Sequence, residues 1–325
     1  MIFNLNFFKK KNNQTLLAIY DLEKINCSFD FLIFFQVAAM YKKKNNLKNI
    51  DLCLSMGSTN GFKYNQFQRE DNFKLDRANL RLNYLIFQSI NMYRKNFKNF
   101  YMLENKKDKS EILSKYRNVF PPNYKISIDK NTYCGQCTWK NLEQNHEHVS
   151  LLNLEIPEVL CKNIIDKINT SKKIISITLR EASFTPERNS LKEEWKKFIL
   201  YLEENNYFVI VIRDSEKFLV NDKFSKYDIF PFSAYDLNLK ASIYKIAHFN
   251  YFVNSGPSVI TWINNYKSAR FKNWGPKENL DVNEKNFGLN KYEKSMVLNN
   301  DRNFLIPDLD TYSNLINFHE NYFYN

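Results

Sequence analysis

Three short polar segments in the second half of the chain hold the residue types that recognise a diphosphate. Arg180-Glu181 leads on to Arg188-Asn189, and Arg213-Asp214 is followed by Ser215 and Glu216. The third segment, Asn254-Ser255-Gly256-Pro257-Ser258, closes an apolar run. Arginine forks match phosphate oxygens, and a helix opening at Pro257 would add unpaired N–H groups and a partial positive charge. Asp214 or Glu216 would accept from a ribose or sugar hydroxyl. The ligand class these residues point to is a nucleotide diphosphate. Each arginine–carboxylate pair also reads as a structural ion pair at a strand end, and the two readings differ in whether the guanidinium is free.

In the first half, Asp21 and Glu23 in YDLEKINCSFDF, and Asp30 beyond them, could take a proton from a hydroxyl. Asp21 is preferred because a strand-end carboxylate faces the ligand edge of a parallel sheet. Asp30, at a helix start, also reads as a simple cap. The turn MGSTNGF (56–62), with Gly57, Asn60 and Gly61, would lie on the acceptor side. Cys134 and Cys137 with His146 and His148 give C-x2-C-x8-H-x-H. Zinc sites space their histidines more widely, so an incidental loop pair is expected, with no metal and no cofactor. His248 and His319 fall on helical patterns and read as packing residues, as does Trp274 in a loop.

These residues need strands and helices to place them. TLLAIYDL (15–22), NIDLCLSMG (49–57) and FYMLEN (100–105) read as buried strands, separated by helices over 29–44 and about 75–94. From about 116 to 153 the pattern breaks at Pro121-Pro122, Gly135 and clustered Asn and Gln, which marks an irregular crossing between domains. The alternation then restarts. Helices are expected over 156–170, 190–206, 236–249, from Pro257, and over 308–323; strands are expected over 173–181, 207–214, 251–256 and from 268. Ser190 with Glu193 has capping-box spacing for the second of these helices. The expectation is α/β: two Rossmann-like domains, 1–150 and 151–325, with mostly parallel sheets facing across a cleft.

Composition narrows the function classes. The 325 residues are 44% hydrophobic and 25% charged, too apolar for disorder, and 6 Gly are too few for collagenous or turn-rich all-β designs. Asn fills about one position in seven, which fits an AT-rich coding bias. The formal charge of +12 is uneven. Residues 1–150 carry 24 Lys and Arg against 13 Asp and Glu, while 151–325 carry 23 against 22. A basic first half suggests an anionic partner, and peripheral contact with the inner face of a membrane is one expected form of it. Five cysteines in a long chain, and no apolar run of bilayer length, suggest a cytoplasmic protein. Nucleic acid is not expected, because no recognition motif accompanies the charge.

The paired α/β halves with a polar second-half crevice resemble glycosyltransferases of the GT-B fold. Asn254-Ser255-Gly256-Pro257-Ser258 looks like the Asp-Ser-Gly-Pro-x-His element of heptosyltransferase-type members. ITLRE (177–181) is similar to the arginine-bearing strand end of fucosyltransferase-like ones. The resemblance implies a second domain that binds a nucleotide-sugar co-substrate and a first domain that binds a glycan or lipid-linked acceptor, in surface-polysaccharide synthesis without a metal. Three positions depart from the pattern. Asn254 replaces the acidic residue, Val259 stands where the histidine would be, and Thr178 occupies a position that is often histidine. Heptose specificity and that histidine's role therefore do not carry over. The other classes compatible with the residues are a sugar-nucleotide epimerase or hydrolase of the same fold, and a basic nucleic-acid-binding protein.

Overall fold

A computed structural model describes residues 12–58, 61–62, 72–183, 186–271, 297 and 301–323. Asn60 and Trp274 lie outside the described residues. The chain divides into two compact units. The first is Met1–Arg81 with Tyr93–Ser150; the second is Leu82–Met92 with Leu151–Asn325. Residues 82–92, a helical stretch from the first half, belong to the second unit.

The first unit has β1 (Asn12–Asp21), α1 (Asp30–Lys44), β2 (Asn49–Ser55), α2 (Asn72–Arg81), β3 (Phe100–Leu103), α4 (Lys106–Lys115), β4 (Tyr116–Phe120), α5 (Lys130–Gln136) and α6 (Trp139–Gln144). Between α2 and β3 the chain runs through a π-helical turn (Leu82–Phe87) into α3 (Gln88–Met92), which the second unit claims. Its sheet is parallel throughout, in the order β3-β2-β1-β4. Central β1 reads as an unbroken apolar run because both its faces are covered; Leu16 to Tyr20 are all buried. α1 is apolar all round for the same reason, with Phe31 to Met40 buried. Its one polar interior residue, Gln36, donates to the Tyr93 hydroxyl at 2.7 Å. The stretch 116–153 is no open crossing. It forms β4, α5 and α6, with Tyr133, Trp139 and Leu142 buried. Short elements with mixed polarity hid it from periodicity.

The second unit has α7 (Glu158–Ile168), β5 (Lys173–Thr178), α8 (Lys192–Glu204), β6 (Tyr207–Ile212), α9 (Leu237–Ile246), β7 (Phe249–Val253), α10 (Ser258–Ile263), β8 (Ser268–Phe271), β9 (Asn303–Leu305) and α11 (Tyr312–Phe323). The parallel sheet runs β6-β5-β7-β8-β9. α8 buries Trp195, Phe198, Ile199 and Leu202, one face at helical spacing. α11 lays Phe318, His319 and Phe323 on Phe249 and Tyr251. Gln88 of α3 caps α9, accepting from the Leu237 amide at 2.6 Å. That bond ties α3 to this unit. The capping box at α8 does not form. Ser190 Oγ accepts from the Arg180 amide at 3.0 Å, and Asp310, distant in sequence, accepts from the Leu191 amide at 2.9 Å.

Among the described residues five non-glycine positions take the left-handed conformation, and all are Asn: Asn46, Asn123, Asn169, Asn206 and Asn265, with φ from 45° to 64°. Four of them end helices α1, α7, α8 and α10, where glycine is the usual residue. A chain with 6 Gly thus uses asparagine to turn its helices.

Candidate functional site

In an open parallel sheet, ligands bind beyond the carboxyl ends of the strands, where the strand order reverses. In the first sheet the chain steps from β1 to β2 and β3 on one side, then returns to β4 on the other, so the reversal lies between β1 and β4. A cavity of about 780 Å³ opens there, lined by Asp21, Glu23, Lys24, Gly57, Glu104, Lys106, Lys109, Tyr124 and Lys125 among others. Asp21, the last residue of β1, is only 1% exposed on this wall. Its Oδ1 accepts from Ser55 Oγ at 3.1 Å and from the Glu23 amide at 3.0 Å, with Lys109 Nζ 3.6 Å away. Oδ2 accepts from the Tyr124 hydroxyl at 2.6 Å. The Asp21 amide donates to the Tyr133 hydroxyl at 2.9 Å, and that hydroxyl donates to the Ile19 carbonyl at 2.8 Å. Burial, with the Asp21 carboxylate beside it, holds the Tyr124 phenol well above its usual range, so it stays protonated.

Two other first-half candidates sit as follows. Asp30 is exposed at the start of α1, accepts from Ser28 Oγ at 2.8 Å, and is not among the cavity's residues. It is the helix-start acid that its position also allowed. Gly57 does line the cavity, but its need for glycine is structural: it pairs with Gly61, and an added Cβ would fall 2.2 Å from the Phe62 backbone. Gly61 itself sits at φ +85°.

In the second sheet the reversal lies between β5 and β7. Arg188 arrives from the loop after β5 and donates through Nη2 to the Asn254 carbonyl, at the end of β7, at 3.1 Å. Its Nε is buried without a partner, and so is Ser255 Oγ one residue further along. Burial lowers the Arg188 pKa. Sequence reasoning missed Arg270, on β8. It is buried over the Trp262 ring at 4.5 Å, and its pKa falls to about 9 through burial and then the charge of Arg188. The available signal was an arginine inside the short apolar strand SARF.

The remaining donor-side residues form two other groups. Arg180 Nη1 donates to Asn189 Oδ1 at 2.5 Å, and Asn189 bonds both backbone groups of Ala182, so this pair clasps the loop after β5. Arg213 is committed elsewhere. Its Nε and Nη2 donate to Glu181 at 2.7 and 2.8 Å, and its Nη1 and Nη2 to Asp222, each at 2.9 Å. Lys192 adds a further charge at 3.1 Å from Glu181. Burial alone would lower the Arg213 pKa, but the two carboxylates more than reverse it. Arg213 and Glu181, expected on the donor side, are thus committed to a buried network with Asp222. Asp214 accepts from Ser215 Oγ at 3.2 Å and lies 3.4 Å from the Glu181 amide, while Glu216 accepts from the Ser183 amide at 2.8 Å. Ser258 opens α10 with its hydroxyl bonded to the Ser255 carbonyl at 2.8 Å, beside Gly256 and Pro257 in the turn.

Among the described residues no group of three His, Cys, Asp or Glu is placed to hold a metal ion. Cys134 Sγ lies 3.6 Å from the Lys24 carbonyl, and His146 Nδ1 lies 3.1 Å from the Glu143 carbonyl. Among the described residues no helix is long and apolar enough to cross a membrane.

No family model matches the sequence, and no curated protein matches it. Among solved structures the chain is similar to a family 9 glycosyl transferase from Veillonella parvula, at 10% identity and TM-score 0.45 over 79% of this chain and 80% of that one. It is similar to the E. coli ADP-heptose LPS heptosyltransferase II at 11% identity and TM-score 0.41, over 79% and 84% of the two chains. A third is the E. coli heptosyltransferase WaaC with ADP-2-deoxy-2-fluoro heptose, at 10% identity and TM-score 0.40 over 94% and 99%.

Proposed function

We propose that the protein is a GT-B-like glycosyltransferase that moves a sugar from a nucleotide diphosphate to a hydroxyl of a glycan or lipid-linked acceptor. The observation that carries this reading is the second unit's switch point. There Arg188 Nε and Ser255 Oγ are buried donors without partners, and Arg270 adds a second positive charge. Buried donors cost free energy until an acceptor meets them, and a diphosphate supplies several anionic oxygens at once. Arg188 and Arg270 would neutralise the leaving diphosphate as the glycosidic bond to it breaks.

The acceptor belongs in the cavity of the first unit. Asp21 would take the proton of its hydroxyl, and Lys24, Lys106 and Lys125 on the walls favour an acceptor that carries a phosphate or carboxylate. The same basic excess supports peripheral contact with an anionic membrane surface on the cytoplasmic side.

A melting-shift screen against nucleoside diphosphates and nucleotide sugars tests the reading. At least one base should raise the melting temperature, and Arg188→Ala should remove that shift. If no diphosphate of any base changes melting, the reading fails. Free sugar released without an acceptor would replace transfer by hydrolysis.

A further inference from the structure

The two oxygens of Asp21 are not equivalent. Oδ1 accepts two hydrogen bonds, from Ser55 Oγ and the Glu23 amide, and faces Lys109. Oδ2 accepts one, from the Tyr124 hydroxyl at 2.6 Å. A carboxylate oxygen has about two acceptor directions. Oδ1 is therefore filled, whereas Oδ2 has accepted a single bond and has capacity for one more; Asp21 and Tyr124 both line the cavity.

We propose that Tyr124 is the positioning residue of this site, locking the Asp21 carboxylate so that the second acceptor direction of Oδ2 receives the acceptor hydroxyl. This rests on the transferase reading of the cavity. In that step the acceptor O–H proton passes to Oδ2 while the acceptor oxygen bonds to the sugar's anomeric carbon. The bond from that carbon to the diphosphate breaks, and its electron pair leaves on the diphosphate.

The surroundings of Tyr124 are built to hold it. Its amide closes a turn on the Pro121 carbonyl at 3.1 Å, with Asn123 left-handed at φ 59°. Its ring meets the Tyr133 ring edge-on at 6.2 Å, and Tyr133 is the residue that braces the end of β1. Lys109 is fixed by the Met56 carbonyl at 3.0 Å, which keeps its charge beside Oδ1. The titratable groups facing Asp21 are thus Lys109 from α4, Glu23 from its own loop, Cys53 from β2, and Tyr124 and Tyr133 from the segment after β4.

The test combines kinetics with a measurement that needs no turnover. With the sugar donor found by melting shift, Tyr124→Phe should lower kcat by about tenfold, leave the acceptor KM within about twofold, and move the lower limb of the pH–rate profile upward. 3-Fluorotyrosine in place of Tyr124 keeps the shape and donates more strongly, so it should move that limb downward. The 13C signal of the Asp21 carboxyl, identified by its loss in Asp21→Asn, should titrate differently in the wild type and in Tyr124→Phe. An unchanged titration, or a loss confined to KM, overturns the positioning role even if sugar is transferred. A changed titration with no transfer from any donor overturns the transferase reading and the role with it.

Discussion

The two switch points share a scaffold and have opposite electrostatics. At the end of β1, a carboxylate is surrounded by donors: a serine, a tyrosine, an amide and a lysine. Between β5 and β7, the Nε of a half-buried guanidinium and a serine Oγ are enclosed without partners, and a second arginine stands close by. On the proposed function, one site would receive a proton and the other an anion. A parallel sheet fixes where a ligand meets the protein; the side chains brought to that edge fix what kind it is.

The second unit contains its own control. Arg213 and Arg188 are the same residue type, Arg213 directly after β6 and Arg188 on the loop after β5. Arg213 is neutralised by Glu181 and Asp222, whereas no carboxylate of the described residues pairs with Arg188. The largest expected effect breaks the neutralised side. Arg213→Ala leaves Glu181 buried without its main cation and should cost about 3–5 kcal/mol in a urea melt. Arg188→Ala should cost little or nothing in the same melt, since the side chain is half-buried and its hydrogen bond goes to the Asn254 carbonyl rather than to a carboxylate. If the two variants unfold alike, the distinction between structural and ligand-binding arginine is lost.

Next in size is the proton-accepting side. Asp21→Asn should reduce transfer by about a hundredfold or more while nucleotide-diphosphate binding stays as in the wild type. Loss of both together would tie the two sites and contradict their separate roles. A smaller effect belongs to the anion side. At a diphosphate concentration about a hundred times its Kd, the wild type should gain about 2.7 kcal/mol, and Arg188→Ala should lose most of that gain. Calorimetric titration of both proteins measures it directly.

The smallest effect separates site chemistry from core chemistry by pH. His319 is buried against the Tyr251 hydroxyl at 2.7 Å, and burial, with the charge of His248, brings its pKa down to about 4. An unfolded histidine binds its proton near pH 6.5, so between these values the unfolded state holds more protons. The stability contributed by neutral His319 is complete above about pH 6.5 and is lost as pH falls toward 4, amounting to about 2 kcal/mol. Urea midpoints at pH 7 and 4.5 test this, and His319→Gln should flatten the difference.

The place of Asp21 was legible because an apolar run ending in a carboxylate already describes the carboxyl end of a buried strand. Its partners were not. Tyr124 and Tyr133 lie 103 and 112 residues away, in a stretch whose prolines and amides read as a crossing between domains. Ser190 and Glu193 had the spacing of a capping box, yet folding gave the serine to the Arg180 amide and the cap to Asp310. Local spacing states which bonds are open to a residue, and the packed chain decides which one forms.

By itself the sequence determined two successive alternations of buried strands and helices, because a strand covered on both faces must be continuously apolar. It also determined an excess of positive charge in the first half. Tertiary structure decided that five of its many asparagines turn the chain where glycine is absent. It also separated Arg188, with its buried unpaired Nε, from Arg213, whose charge two carboxylates neutralise. A guanidinium becomes a site or a brace according to which carboxylates folding brings within reach, and no spacing along the chain encodes that distance.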